Sequence, residues 1–127
     1  CSQGVIMKVK KYFTLSEANR MLPLIRSIVQ DILLVASQMK QLIIDNPDHY
    51  SEINEFNHLK IELNKYLNEL EELGCFYKDW NFTVGLVDFP AIIDGNEVFL
   101  CWRADEEQIQ YYHLIDESYS SRKSLFC

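Results

Sequence analysis

Glycine and proline are scarce in this sequence, which has four glycines and three prolines among 127 residues. No segment matches the glycine-rich loops that hold phosphates, and the run Gly85-Leu86-Val87-Asp88-Phe89-Pro90 has a single glycine. The H-E-x-x-H pattern of zinc peptidases is also absent. No known catalytic motif therefore identifies the protein as a nucleotide-binding enzyme or a metallopeptidase.

Closely spaced cysteines are missing as well. The four cysteines, Cys1, Cys75, Cys101 and Cys127, contain no C-x-x-C pair, and two of them lie at the chain ends. This spacing predicts neither a zinc site nor a disulfide framework, so we expect no metal and no cofactor. Unpaired cysteines are typical of a reducing compartment, and we expect a cytoplasmic location.

Long apolar runs are absent too. The longest strongly apolar stretch, 28–36, contains Gln30 and Asp31 and is too short to span a bilayer, so no membrane association is expected. No charged segment followed by an apolar one opens the chain. Met7, followed by three lysines within 8–11, resembles a natural start, and residues 1–9 are interpreted as an extension or tag. The alternative is that Cys1 begins a mature lipoprotein.

The chain has no excess of basic residues, since 12 Lys and Arg stand against 19 Asp and Glu for a net charge of −7. Residues 1–50 have six basic and four acidic residues, a balance of +2, whereas residues 51–127 have six and fifteen, a balance of −9. Binding to a phosphate backbone needs clustered Lys and Arg, so nucleic acid is not an expected partner.

Two helical patterns occupy the first part of the chain. Thr14-Leu15-Ser16-Glu17 is a capping box, and apolar residues then recur at three- and four-residue steps as far as Ile43. Pro23 interrupts this pattern, which predicts a short helix at 15–21 and a long one at 23–44. A second pattern ends at Gly74, a residue suited to a left-handed C-cap. Together they predict an antiparallel helical hairpin over 15–74.

After Gly74 the hydrophobic period changes from about 3.6 to about 2 residues, which indicates strands. Strands are predicted at 75–77, 84–88, 91–93, 97–102 and 108–114, with Pro90 at a bulge or on an edge. Asp94-Gly95 predicts a type I′ hairpin. Short connections favour a β-meander over 75–115, followed by a polar C-terminal tail interpreted as a loop. The predicted fold is one α+β domain over 10–127, with the helical hairpin packed on the small antiparallel sheet.

Four segments carry a resemblance to a known family: 12–19 (YFTLSEAN), 85–91 (GLVDFPA), 100–103 (LCWR) and 111–113 (YYH). In this combination the chain resembles the bacterial family called domain of unknown function 2203, over residues 10–122. Tyr112 differs from the tryptophan of that motif, and Ser118 stands where a glycine is expected. The resemblance implies no established activity.

Asp88 and His113 are the candidate catalytic residues. The Asp88 carboxylate is interpreted either as a buried acid or base, or as a structural group that binds backbone N–H groups before Pro90. His113 shares a predicted strand face with Ile109 and Tyr111. It is either a ligand or general base, or a packed and hydrogen-bonded side chain.

Arg103, Arg122 and Trp102 are the candidate ligand-binding residues. Guanidinium groups bind carboxylates or phosphates through paired hydrogen bonds. Trp102 shares a face with other large apolar residues and is interpreted as core, whereas Cys101 alternates away from it and is interpreted as a small hydrophobic residue. The alternative for the two arginines is pairing with neighbouring acidic residues: Asp105, Glu106, Glu107, Asp116 or Glu117.

Two functions are consistent with these features, and whether the protein is an enzyme stays open. The first is a non-enzymatic interaction module that forms a homodimer or binds a protein partner, because the apolar run 33–36 extends the first helix stripe beyond one face. The alternative is a small enzyme or a ligand- or metal-binding protein that uses Asp88, Arg103, His113 and Glu106. We expect Asp88, Arg103 and His113 to meet if they form a site.

Overall fold

The computed structural model describes residues 9–126 and confirms the α+β fold. Helices α1 (Leu15–Asp45) and α2 (Asn54–Glu72) form the hairpin, with a 3₁₀ turn at Tyr50–Glu52 between them. Five strands follow and pair antiparallel in chain order. They are β1 (Phe76–Tyr77), β2 (Leu86–Ile93), β3 (Asn96–Arg103), β4 (Tyr111–Leu114) and β5 (Lys123–Ser124). The extension interpreted at 1–9 lies, apart from Val9, outside the described residues.

Helix α1 begins with the predicted capping box. Thr14 Oγ1 accepts a hydrogen bond from the Glu17 N–H at 3.1 Å, and the Glu17 carboxylate accepts one from the Thr14 N–H at 2.9 Å. The predicted break at Pro23 is wrong, because α1 continues through it. Pro23 is exposed, so its ring meets no core side chain and only one bond of the helical ladder is missing. The buried stripe on both sides keeps the helix continuous.

By length and composition alone, α1 is apolar enough to cross a membrane. The core helix of a soluble protein satisfies the same criteria. Eight residues of α1 pack inside the domain: Ala18, Leu22, Ile25, Ile28, Val29, Ile32, Val35 and Ala36.

Helix α2 ends at the predicted glycine. Gly74 has φ +98°, its N–H donates to the Glu71 carbonyl at 3.0 Å, and the Cys75 N–H donates to the Leu70 carbonyl at 3.1 Å. This pair of bonds is a Schellman motif, which reverses the chain and directs it into β1.

Strand β2 runs through Pro90, so the prediction of two strands at 84–88 and 91–93 is wrong. All eight residues of β2 pair with β3 in unbroken register. The Pro90 carbonyl accepts a hydrogen bond from the Phe13 N–H at 2.7 Å, which places the backbone polar groups of Pro90 on the side away from β3. Strand β1 has ended before this point. Pro90 therefore lies at an edge, where its missing N–H breaks no ladder bond.

The sheet has two distinct faces. The core face packs under α1 with three cross-strand pairs: Val87 with Trp102, Phe89 with Leu100, and Ala91 with Val98. We call the opposite side the outer face; it carries Phe76, Asp88, Pro90, Phe99, Cys101, Tyr111 and His113.

Strand β4 is shorter than the predicted 108–114, and Ile109 does not share a face with Tyr111 and His113. Ile109 precedes the strand and is buried in the core, where its N–H donates to the Asn19 side chain at 2.8 Å. Residues outside a strand do not follow its alternation, so the predicted common face is wrong.

The C-terminal tail, predicted as a loop, has structure. A 3₁₀ turn at Tyr119–Ser121 leads into β5, and the Leu125 N–H donates to the Gln110 carbonyl at 2.8 Å. The Arg122 guanidinium lies 4.1 Å from the centre of the Tyr111 ring. Since Tyr111 is on the outer face, the tail covers part of that face.

Candidate functional site

Strands β2 and β4 flank β3, and this arrangement brings Asp88 and His113 together. Asp88 pairs with Cys101 across one side of β3, and His113 pairs with Phe99 across the other. The His113 Nε2 and Asp88 Oδ2 atoms are 3.1 Å apart, and each residue is 3% exposed. Two of the three residues expected to meet therefore do so.

The second ring nitrogen of His113 fixes the chemistry of this pair. His113 Nδ1 lies 2.8 Å from the Leu114 carbonyl oxygen, which can only accept, so Nδ1 carries a proton. In a neutral ring, Nε2 would then present a lone pair to the Asp88 carboxylate. Two acceptors cannot bond, so the contact between His113 Nε2 and Asp88 Oδ2 needs a proton between them. Burial lowers the pKa of His113, but Asp88 and the Leu114 carbonyl outweigh burial and raise it above 6.5.

Cys101 completes a three-residue cluster. It is 1% exposed, and the ligand atoms of Asp88, Cys101 and His113 all lie within 4.8 Å of one another. Burial raises the pKa of the Cys101 thiol, Asp88 raises it further, and Arg122 opposes them. Cys101 is buried and alternates away from Trp102, as predicted, and the structure adds that Asp88 and His113 are its polar neighbours.

Arg103 and Arg122 do not join the cluster. The Arg103 guanidinium donates to the Asp105 carboxylate and the Tyr119 hydroxyl. Arg122 donates to Glu106 at 3.0 Å, and its guanidinium contacts the rings of Tyr111 and Tyr119. Pairing with acidic neighbours, the alternative considered for both arginines, is what the structure contains.

Trp102 and Glu106 have structural contacts. Trp102 is fully buried on the core face, and its Nε1–H donates to the Glu106 carbonyl at 2.9 Å. The Glu106 carboxylate accepts from the Arg103 N–H at 2.8 Å as well as from Arg122. The Trp102 side chain thus holds the connection after β3, and the Glu106 side chain joins β3 to Arg122 of the tail.

Asp79 is the third buried polar residue within 9–126, beside Asp88 and His113, and it differs from them. Its Oδ2 accepts three backbone N–H groups, those of Thr83, Val84 and Gly85, at 2.8–2.9 Å. Burial raises the pKa of Asp79, but these hydrogen bonds outweigh burial and lower it. Asp79 holds the β1–β2 loop, which is a structural task.

A family model described as an uncharacterized conserved protein (DUF2203) matches residues 11–125. The chain belongs to this family. The resemblance inferred from the four sequence segments is confirmed. No curated protein and no solved structure matches the chain. The family description names no activity.

The sequence contained one usable signal for Cys101. A two-residue turn at Asp94-Gly95 pairs residues at equal distances on either side, and Asp88 and Cys101 are each six residues from it. Asp94 and Gly95 have φ of +52° and +81°, which confirms the predicted type I′ turn. The turn type therefore predicts that the carboxylate and the thiol are neighbours.

Proposed function

We propose that this protein is a ligand-binding domain whose site is the cluster of Asp88, Cys101 and His113. The observation that carries the proposal is the meeting of a carboxylate, a thiol and an imidazole within 4.8 Å, each on a residue no more than 3% exposed. The site lies on the outer face of the sheet. The helices pack on the core face, so they stabilise the fold but contribute no side chain to the site.

The presence of these three polar side chains in the protein interior is poorly explained by a contribution to the stability of the fold. Replacing a buried ion pair with apolar residues of similar volume is often neutral or stabilises a protein by about 1–4 kcal/mol. The same face accepts apolar residues at neighbouring positions, since Pro90 and Phe99 are both buried there. Buried polar groups that break the local pattern are typical of functional sites.

Binding fits the geometry better than nucleophilic catalysis does. A catalytic cysteine needs a thiolate and a histidine nitrogen free to take its proton. Here burial raises the pKa of the Cys101 thiol, and both nitrogens of His113 already face an acceptor. The tail also covers part of this face, which leaves little access for a large substrate.

A thermal-shift screen of metal ions and small metabolites tests this function. We compare the wild type with the double variant Asp88→Leu/His113→Phe, and use His58→Gln, on the exposed side of α2, as the matched control. At least one compound should raise the Tm of the wild type and of the control but not that of the double variant. If every compound shifts all three proteins equally, the cluster is not a binding site.

A second candidate function is self-association through the helical layer. Leu34 and Ile44 of α1 are 59% and 69% exposed, and Ile61 of α2 is 68% exposed. Val35 and Ala36, which contributed to the expected apolar surface, are buried in the core instead. We therefore propose a homodimer whose apolar contact includes Leu34, Ile44 and Ile61 and is smaller than the one expected from residues 33–36. Sedimentation should give a dimer at high micromolar concentration and a monomer for Ile61→Lys, and a monomeric wild type would exclude it.

A further inference from the structure

The donor atoms of the cluster form a mixed set of one oxygen, one sulfur and one nitrogen. Zinc and similar divalent transition metals accept this set, whereas calcium and magnesium prefer oxygen ligands alone. From these donors we propose that the ligand of the site is a single divalent transition-metal ion, zinc or one with similar ligand preferences. This inference rests on the proposed function and names the ligand of that site.

The distances suit an ion of this size. A tetrahedral ion with bonds of about 2.0–2.3 Å holds its ligand atoms about 3.3–3.8 Å apart. The Asp88 and His113 atoms are 3.1 Å apart, and no distance within the cluster exceeds 4.8 Å. Shifts of the ligand atoms by about an ångström, from 4.8 Å at most to the tetrahedral separation, would complete the set around an ion.

The orientation of His113 is that of a metal ligand. Histidines that bind metals usually donate the proton of the other ring nitrogen to a carbonyl or carboxylate, which fixes the tautomer. Nδ1 of His113 donates to the Leu114 carbonyl at 2.8 Å, so the Nε2 lone pair points into the cluster. A cation between Nε2 and the Asp88 carboxylate gives both acceptors a partner, as the shared proton does without metal.

The charges favour a divalent ion over an anion or an organic molecule. A carboxylate, a thiolate and a neutral imidazole supply a charge of −2, which one divalent cation neutralises. Two pairs of charged side chains around the cluster already neutralise each other, Arg122 with Glu106 and Glu117 with Lys123. Residues that are 1–3% exposed admit an ion more readily than a metabolite.

The sequence-based expectation of no metal site depended on the spacing of the cysteines. Strand pairing supplies the proximity that this spacing lacks, because Asp88 and His113 approach Cys101 from strands on either side of it. Three protein ligands leave one tetrahedral position for water, a common arrangement in zinc sites that are not purely structural.

Cobalt(II) is the probe for this site, because thiolate-bound cobalt has an intense charge-transfer absorption. Chelator-treated protein with Cys1→Ser and Cys127→Ser is titrated with Co²⁺ and then with Zn²⁺. We expect the band to saturate at one ion per chain and to disappear as Zn²⁺ replaces cobalt. Cys101→Ser should abolish the band, and His113→Gln should weaken binding by at least about tenfold.

Cys75→Ser is the matched control, because Cys75 is a buried cysteine whose thiol bonds the Leu70 carbonyl outside the cluster. The control should keep the band, and circular dichroism verifies that every variant is folded. A band that survives Cys101→Ser, or no band in the folded wild type, overturns the metal inference. If the thermal-shift screen then finds an organic ligand that depends on the cluster, the proposed function stands without the metal. If it finds none, both fail.

Discussion

Removing one partner of the buried pair should cost far more stability than removing both. The variant His113→Phe leaves the Asp88 carboxylate 3% exposed without its partner, which costs about 3–5 kcal/mol in comparable buried pairs. The Cys101 thiol still interacts with Asp88, so we expect the lower end of this range. The double variant Asp88→Leu/His113→Phe removes the unpaired carboxylate as well. Its free energy of unfolding should lie within about 1 kcal/mol of that of the wild type, or above it.

Urea unfolding followed by circular dichroism measures these free energies. A small domain is stable by about 5–15 kcal/mol, so a loss of about 3 kcal/mol is easily resolved. His58→Phe, at an exposed position, serves as the control and should change stability by less than about 0.5 kcal/mol. The reasoning fails if His113→Phe costs less than about 1 kcal/mol. It also fails if the losses of free energy in His113→Phe and in a single Asp88→Leu variant simply add up to the loss in the double variant.

Three further predictions concern pH, glycine conformation and the core. The pKa of His113 is raised above 6.5 in the folded protein, so the Asp88–His113 pair stabilises the fold fully below pH 6.5. This stabilisation is lost as the pH rises through the pKa of His113 in the folded state. The urea midpoint should therefore fall between pH 6.5 and that pKa in the wild type but not in Asp88→Asn. Gly85→Ala should cost about 2–5 kcal/mol, since φ is +86° and its Cβ would lie 2.5 Å from Val29, whereas Gly95→Ala, with no atom within 4 Å, should cost about 1–2 kcal/mol in the same assay. Ile28→Ala, at a buried position of α1, should destabilise by about 2–5 kcal/mol, and Leu63→Ala, which is half-buried, should lie at the low end; losses below about 1 kcal/mol for both would contradict the packing of the hairpin.

Local chemistry determined the parts of the fold that the sequence predicted. The capping box at Thr14, the left-handed Gly74 and the turn at Asp94-Gly95 each depend on a few adjacent residues, and each forms as predicted. These signals mark where elements begin and end. They made the helical hairpin and the meander predictable without any tertiary contact.

The errors arose where distant contacts override local preference. Pro23 breaks an isolated helix, but the buried stripe of α1 continues on both sides of it and packs on the sheet. Ile109 leaves the strand pattern because Asn19, 90 residues away in the chain, accepts its N–H. The polar tail forms β5 only because β4 offers it an edge. None of these partners can be identified from the neighbouring sequence.

In the candidate site, the pairing of Asp88 with Cys101 could be predicted from local sequence, whereas the position of His113 could not. The Asp94-Gly95 turn fixes the register of β2 against β3 and so pairs Asp88 with Cys101. The register of β4 depends instead on the irregular connection 104–110, whose course is set by contacts with α1 and the tail. A shift of one residue there would turn His113 to the core face. The position of His113 thus follows from tertiary structure.

The apolar packing of the domain and the chemistry of the site lie on opposite faces of the sheet. The apolar core lies between α1 and the core face, whereas the cluster lies on the outer face under the tail. Substitutions such as Ile28→Ala should therefore lower the free energy of unfolding without changing the affinity of the folded protein for Co²⁺. Conversely, Arg122→Ala, which removes the guanidinium that lies over Tyr111 and pairs with Glu106, should speed the exchange of bound Co²⁺ for Zn²⁺. Equal exchange rates in Arg122→Ala and the wild type would mean that the tail does not control access to the cluster.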